Sequence, residues 1–243
     1  MCPEPLDELG EGPARPTVPV IGLAHGSRHP AGAAAIEQLM AAVDAPEHPA
    51  RHAFLDLADP DLDTVVAELA ALGHRRAVVV PLLFTVAFHA TVDVPQAVHA
   101  AAEAAGIELE VADILGTGDD IAAVLLDALA DAGAGADTSV LLYAVGSSNP
   151  AANLAVVDLA ARLARRRHAP VRAAFATCAP RPAEVLDELP GPVTILPLFL
   201  ADGLLLDPAR SLAAEHAWTL VEPLGARVAE VVLERYRSAL RVK

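Results

Sequence analysis

Short apolar runs alternate with alanine-rich stretches of helical character along the first half of the chain. Near-continuous apolar strands separated by helices are typical of a parallel sheet covered on both faces. The pattern predicts four strand–helix units. The strands are predicted at 17–24, 52–57, 77–85 and 107–115, with helices at 31–43, from Asp59-Pro60 to Leu72, and ending near Ala105 and Ala130.

The same pattern begins again after a small, polar segment at 131–138. VLLYAVGSSNP at 140–150 repeats the form of VIGLAHGSRHP at 20–30. Three further segments match earlier ones in the same order, which indicates a duplicated domain. The segments begin at 173, 193 and 221, and their earlier counterparts begin at 52, 78 and 111.

We therefore predict an α/β fold with two similar lobes, each a four-stranded parallel sheet flanked by helices. The predicted division is a disordered tail at 1–16, a first lobe at 17–130, a linker at 131–138 and a second lobe at 139–243. Hydrophobic residues make up 54% of the chain and aromatic residues only 3%, so both cores must consist mainly of Ala, Val and Leu.

The charge and the cysteine content exclude several classes of partner and site. The net charge is −15, with 32 acidic and 17 basic residues, so neither nucleic acid nor an anionic membrane is expected as a partner. Two cysteines cannot build a disulfide framework or a four-thiolate metal site. The N-terminus has no basic and apolar signal pattern, and no apolar run is long enough to cross a bilayer. These features predict a cytoplasmic protein.

Three polar residues are predicted at the carboxyl ends of neighbouring strands, where ligands bind in doubly wound sheets. His25 follows the first strand, Asp56 closes the second, and His89 follows the third. Two imidazoles and a carboxylate suit divalent iron, cobalt, nickel or zinc. A histidine can also accept protons near neutral pH.

The second copy lacks these three groups. Val145 takes the place of His25, Cys178 that of Asp56, and Gly203-Leu204-Leu205 that of the His89 region. A purely structural role would be needed in both copies, so the loss favours function. Structural alternatives stay open for each residue. The first histidine could bond the backbone of its own loop, the second could cap the following helix, and the aspartate could be a satisfied structural carboxylate.

The chain resembles the class II chelatases, in the sirohydrochlorin chelatase branch. The resemblance lies in LAHGSRHP at 23–30, FLDLADP at 54–60 and VVVPLLFTVAFHATVDVP at 78–95. It implies that His25 and His89 face the metal and that a tetrapyrrole lies in a cleft between two lobes, of which the first is catalytic. The family's second motif more usually has Glu where this chain has Asp56, so that residue is expected to accept protons or contact the metal through water.

The resemblance implies a lyase that inserts a divalent metal into sirohydrochlorin, in siroheme or cobalamin synthesis. Fe²⁺ is slightly favoured, Co²⁺ is next and Ni²⁺ is a further possibility. The metal is a substrate, no tightly bound cofactor is expected, and the chain is expected to be a monomer or weak homodimer. Loop amides and one arginine are candidates for binding substrate carboxylates. These candidates are Gly26, Ser27, Arg28, Gly146 and Ser147.

Two other functions use the same residues. A non-catalytic carrier of tetrapyrrole or metal would bind in the same cleft without turnover. A metallohydrolase would need more carboxylates around a bound water than this sheet edge provides.

Overall fold

Residues 17–86 and 93–241, described by the structure, a computed structural model, form two four-stranded parallel sheets, as predicted. The strands are β1 (Val20–Ala24), β2 (Ala50–Phe54), β3 (Arg76–Pro81), β4 (Glu108–Val111), β5 (Ser139–Ala144), β6 (Val171–Phe175), β7 (Val193–Pro197) and β8 (Thr219–Leu220). The first sheet has the order β2-β1-β3-β4 and the second has the order β6-β5-β7-β8.

Strand register confirms the internal repeat. In the first sheet the last residue of β1, Ala24, lies opposite Phe54 of β2. In the second sheet Ala144 of β5 lies opposite Phe175 of β6. In each sheet the strand that comes first in the chain lies between the second and the third. The loops that follow these strands therefore leave each sheet at the carboxyl ends of its strands, in equivalent positions. Residue positions in the two halves can therefore be compared directly.

The α-helices of the described residues are α1 (Pro30–Val43), α2 (Leu62–Ala71), α3 (Val94–Ala105), α4 (Asp119–Asp131), α5 (Pro150–Arg167), α6 (Pro182–Val185), α7 (Asp207–His216) and α8 (Ala229–Arg241). These helices pack in three apolar cores. Helices α1, α4, α5 and α8 share one central core with one face of each sheet. Helices α2 and α3 cover the other face of the first sheet, and α6 and α7 cover that of the second.

The last helix of each half packs on the other half. Helix α4 contacts α5, whereas α8 contacts α1 and β3. The phenol of Tyr236 on α8 donates a hydrogen bond to the carbonyl of Val18, 2.7 Å away, just before β1. These contacts of α4 and α8 hold the two halves together.

None of the helices in the described parts of the chain is long and apolar enough to span a bilayer.

Arg235 on α8 links the second half to the first through hydrogen bonds and an ion pair. Its Nε donates to the carbonyl of Ile114 at 2.9 Å and its terminal nitrogen donates to the carbonyl of Leu115 at 2.6 Å. The same guanidinium forms an ion pair with Asp120, and the side chains of the pair are only 17% and 23% exposed. Partial burial reduces solvent screening of the pair and makes an unpaired partner costly.

Replacing Arg235 with alanine is therefore expected to destabilise the chain by about 2–3 kcal/mol, because two carbonyls and a half-buried carboxylate lose their partner. The measurement is the free energy of unfolding from urea titration. The matched control is Arg237→Ala on the same helix. Arg237 pairs with Glu230 at a more exposed position, 46% and 75%, and its loss is expected to cost at most about 0.5 kcal/mol. Equal losses for the two variants would contradict the proposed role of Arg235.

The second helix begins later than the sequence predicted. Asp59-Pro60 was expected to open it, but α2 starts at Leu62 and Asp61 is its N-cap. The Asp61 carboxylate accepts a hydrogen bond from the amide of Thr64 at 2.8 Å. Hydrogen bonds from the Thr64 side chain and backbone lower the pKa of Asp61. Asp59 and Pro60 instead belong to the loop after β2, which lengthens the segment that follows Asp56.

Candidate functional site

The loops after β1 and β2 are joined at the sheet edge. The amide of Asp56 donates a hydrogen bond to the carbonyl of His25 at 3.0 Å, directly beyond the bond from Leu55 to Ala24. Both His25 and Asp56 are exposed. The structure thus brings together two of the three residues predicted from the strand ends, and both belong to consecutive loops at one edge.

Gly26 allows these two loops to approach. Its φ is +98°, a conformation that favours glycine. A Cβ at this position would lie 1.7 Å from the carbonyl oxygen of Asp56, which no side chain can tolerate. The glycine of the LAHGSRHP segment is therefore required for the contact between the His25 loop and the Asp56 loop.

Asp56 lies in a loop rather than at the end of a strand. Strand β2 ends at Phe54, so the prediction that Asp56 closes the strand was wrong by two residues. Its carboxylate accepts a hydrogen bond from the amide of Leu57 at 2.7 Å. Leu57 has a φ of 64°, which is unfavourable for a leucine. Strained backbone of this kind is concentrated at functional sites, and here it orients the turn that carries the carboxylate.

The second half repeats this loop geometry with different side chains. The amide of Thr177 donates to the carbonyl of Val145 at 3.0 Å, in the same way that Asp56 bonds to His25. Gly146 again has a positive φ, +86°. Val145 is thus confirmed as the counterpart of His25. The sequence comparison paired Cys178 with Asp56, but the hydrogen bond assigns that position to Thr177, so the pairing was wrong by one residue.

The candidate substrate-binding loops differ between the halves in one contact. The backbone amide of Ser147 donates to Asn153 Oδ1 at 2.9 Å, and Asn153 Nδ2 donates back to the Ser147 carbonyl at 2.8 Å. The equivalent position in the first half is Ala33, which has no polar side chain. The Ser147 amide is thus already used within the protein, whereas Ser27 lacks that side-chain partner. Arg28, beside Ser27, is exposed.

The third predicted residue, His89, lies outside the described residues. The loop after β3 can be followed as far as Val86, whose carbonyl accepts a hydrogen bond from Asn149 Nδ2 at 3.1 Å. Asn149 is the N-cap of α5, and its Oδ1 accepts from the amide of Ala151 at 3.0 Å. Asn149 followed by proline predicts a helix N-cap from sequence. The sequence gives no sign that the same side chain also bonds Val86 of the first half.

Metal-binding side chains are not assembled into a complete set within residues 17–86 and 93–241, where no group of three or more His, Cys, Asp or Glu residues has suitable geometry. The predicted set needs His89 as its third member. Within the described part, His25 and Asp56 therefore represent an incomplete version of the predicted site.

A groove of about 290 Å³ lies between the two halves at the carboxyl edge of the strands. One wall is α1 and the other consists of the loops after β7 and β8. Its lining residues are Ala31, Ala34, Ala35, Gln38, Leu200, Ala201, Asp202, Pro223 and Gly225. Since α1 starts five residues after His25, this groove adjoins the candidate loop. A smaller pocket of about 170 Å³ lies at the opposite edge of the second sheet, near the strand starts.

Comparison with known structures supports the fold. SirB from Bacillus subtilis with Fe³⁺ aligns with a TM-score of 0.74 at 24% identity, over 93% of this chain and 96% of that one. SirB from Bacillus subtilis subspecies spizizenii, a sirohydrochlorin chelatase in complex with cobalt, aligns with a TM-score of 0.73 at 25% identity, over 92% and 95%. CbiX, described as the terminal enzyme of siroheme biosynthesis in denitrifying bacteria, gives 0.67 at 22% identity, over 90% and 98%.

Sequence comparison identifies the family. A search of curated proteins found no match. The CbiX family model matches residues 19–132 and again residues 139–239, which together make up most of the chain. The two matches fall on the two halves that the repeat predicted. The chain therefore belongs to the CbiX family of class II chelatases, enzymes that insert a metal ion into a tetrapyrrole.

Proposed function

We propose that this chain inserts Fe²⁺, and less readily Co²⁺, into sirohydrochlorin, with His25 and His89 at the metal. The observation that carries the proposal is the hydrogen bond from the Asp56 amide to the His25 carbonyl. This bond joins the two loops that carry an imidazole and a carboxylate, at the edge where doubly wound sheets bind ligands, and it supports a shared role for them. Both side chains are exposed, as contact with a large substrate requires.

The reaction sets two chemical tasks for these residues. The entering metal ion must be held close to the ring nitrogens, and two pyrrole N–H protons must leave as two metal–nitrogen bonds form. Neutral imidazole binds iron and cobalt, so His25 and His89 would hold the ion before transfer. Asp56 or a histidine freed of the metal would accept protons, since a base positioned in the site lowers the barrier to proton transfer.

The remaining predicted residues would bind the substrate rim. Sirohydrochlorin carries carboxylates around its ring, and this chain is strongly acidic, so local donors are needed at the site. Arg28 offers a charged donor, and the amides of Gly26 and Ser27 lie just before the N-terminus of α1. For Ser147 the proposal rests on its hydroxyl, because its amide is bonded to Asn153. Gly146 keeps the same role as Gly26.

The proposal also includes the predicted roles of the two lobes. Residues 17–130 would form the catalytic lobe and residues 139–243 its partner, giving one active site per chain and no requirement for a dimer. The N-terminal tail at 1–16 lies outside the described residues. A cytoplasmic location is proposed with these roles. The pathway follows from the metal, since Fe²⁺ insertion would yield siroheme and Co²⁺ insertion would serve cobalamin synthesis.

The choice of metal is tested by initial rates. The purified chain is mixed anaerobically with sirohydrochlorin and with Fe²⁺, Co²⁺ or Ni²⁺, and the visible spectrum is compared with that of a protein-free control. We expect the largest acceleration for Fe²⁺, with Co²⁺ next. The solved relatives contain Fe³⁺ and cobalt, which is consistent with either ion being accepted. A clear preference for Co²⁺ would overturn the iron assignment while leaving the chelatase reaction in place.

A further inference from the structure

Exposed aliphatic side chains follow the carboxyl ends of strands in both halves, and Leu57 beside Asp56 is one of them. Val145, directly after β5, is 40% exposed, and Leu204 and Leu205, in the loop after β7, are 74% and 44% exposed. Val86, in the loop after β3, is 53% exposed. All four follow the carboxyl ends of strands. Exposed apolar side chains in neighbouring loops indicate a surface that is covered by a ligand or partner.

Three of these four residues take the places of candidate catalytic groups of the first half. Val145 makes the backbone contact with Thr177 that His25 makes with Asp56. The segment Gly203-Leu204-Leu205 follows β7 as the His89 segment follows β3. The second half has therefore exchanged polar residues for aliphatic ones while retaining the loop geometry. If these positions only needed to face water, polar residues would serve equally well.

Hydrogen bonds hold the backbone of this aliphatic group in place. The phenol of Tyr143, two residues before Val145 in β5, donates to the carbonyl of Leu205 at 3.1 Å. Its ring is buried and stacks on Phe199, with the ring centres 5.9 Å apart. Asn149, in the loop after Val145, donates to the carbonyl of Val86. The segment after β7 is thus bonded to β5, and the loop after β3 is bonded to the loop after β5.

We infer that Val86, Val145, Leu204 and Leu205 form an aliphatic platform on which one face of the tetrapyrrole ring lies. The inference rests on the proposed function and adds the residues that bind the ring itself. The faces of a tetrapyrrole are apolar and its carboxylates lie at the rim, so the platform removes apolar surface of both partners from water. The first half then presents the metal and the proton acceptors to the ring, and the second half holds the ring.

The test compares polar substitutions on the platform with the same substitutions elsewhere. Val145→Asp and Leu204→Asp are expected to raise the dissociation constant for metal-free sirohydrochlorin and the KM by about tenfold or more, since each places a carboxylate against the ring face. The kcat at saturation is expected to stay within about twofold of wild type, because neither residue reaches the reacting nitrogens. Binding is followed by the fluorescence of the tetrapyrrole and turnover by its visible spectrum.

Matched controls separate the platform from general charge effects. Leu72→Asp after α2 introduces the same charge at a residue that is 66% exposed, and is expected to leave KM unchanged. Val145→Thr keeps the shape of the side chain and adds no charge, and it is expected to weaken binding by about threefold. Thermal unfolding is recorded for every variant. If an aspartate variant fails to fold, the dissociation constant of Val145→Thr tests the platform in its place.

The outcomes for the two proposals are distinct. Weakened binding confined to the Val145 and Leu204 variants supports the platform, even if wild type binds the tetrapyrrole without turning it over, a result that would refute only the chelatase reaction. Wild-type binding constants in Val145→Asp, Leu204→Asp and Val145→Thr overturn the platform. Equal weakening in the Leu72→Asp control also overturns it, since a general charge effect would then account for the data.

Discussion

Replacing His25 with alanine is expected to abolish metal insertion while leaving the chain folded. Loss of a metal ligand or positioned base lowers the rate by about 100-fold or more, because the ion is no longer held at the ring and proton acceptance loses its geometry. The side chain is exposed and follows the strand, so its removal leaves the buried cores intact. The measurement is kcat for sirohydrochlorin with Fe²⁺, together with the melting temperature.

His99→Ala is the matched control for this variant. His99 lies on α3 in the same half, is exposed, and contacts Glu103 one helical turn later. Its replacement is expected to leave kcat within about twofold of wild type. If His25→Ala retained wild-type turnover, His25 would be an ordinary loop residue and the assignment of the site would fail. A lower melting temperature with activity restored on cooling would indicate a structural role instead.

Replacing Gly26 with alanine is the second change with a large expected effect. An alanine at φ +98° is strained, and its Cβ would collide with the carbonyl oxygen of Asp56 at 1.7 Å. The His25 loop and the Asp56 loop must separate by an ångström or more to accept it. Displacement on this scale is expected to lower kcat by about 100-fold. Stability is expected to fall by about 2–4 kcal/mol through strain and loss of the joining hydrogen bond.

Gly73→Ala isolates the contribution of strain alone. Gly73 follows α2 at a similar φ of +90°, but a Cβ there would meet nothing within 4 Å. That variant is expected to lose about 1 kcal/mol of stability and no activity. The difference between the two glycine variants measures the contact between the His25 and Asp56 loops. Similar kcat values for both would contradict the requirement for close approach of these loops.

The elements of this fold were predictable because each has its own local signal. Apolar runs identified every strand of the first sheet, although three of the four predicted strands ended three or four residues too late. The first helix was expected at 31–43 and begins at Pro30, as expected for a proline in the first turn. The two-sheet arrangement followed from the repeat, since similar segments in the same order must form similar units.

The packing of the terminal helices could not be predicted in this way. The pattern of α4 and α8 identifies an apolar face but not the neighbour that covers it, and both helices fit the core of their own half equally well in sequence. The structure places α8 against α1 and β3 instead. Arg235 then contacts carbonyls more than a hundred residues earlier, at Ile114 and Leu115, a contact for which the sequence has no local signal.

The candidate site was predictable in part. The rule that ligands bind at the carboxyl ends of parallel strands led to His25 and Asp56, which the structure places in adjacent bonded loops. The exact loop positions were not predictable, because apolar residues continue past the end of β2 and the alignment of the repeat slips by one residue at Cys178. The assignment of His89 stays a prediction, as that residue lies outside the described part of the chain.

The central claim is tested most directly by multiple turnover. A trace amount of the wild-type chain is mixed anaerobically with a large molar excess of sirohydrochlorin and Fe²⁺, and the loss of the free-base bands is followed against a protein-free control. The proposed function predicts metal-dependent conversion of many tetrapyrroles per chain, at a rate proportional to protein concentration. Conversion or binding that stops at one tetrapyrrole per chain would contradict it and identify a carrier.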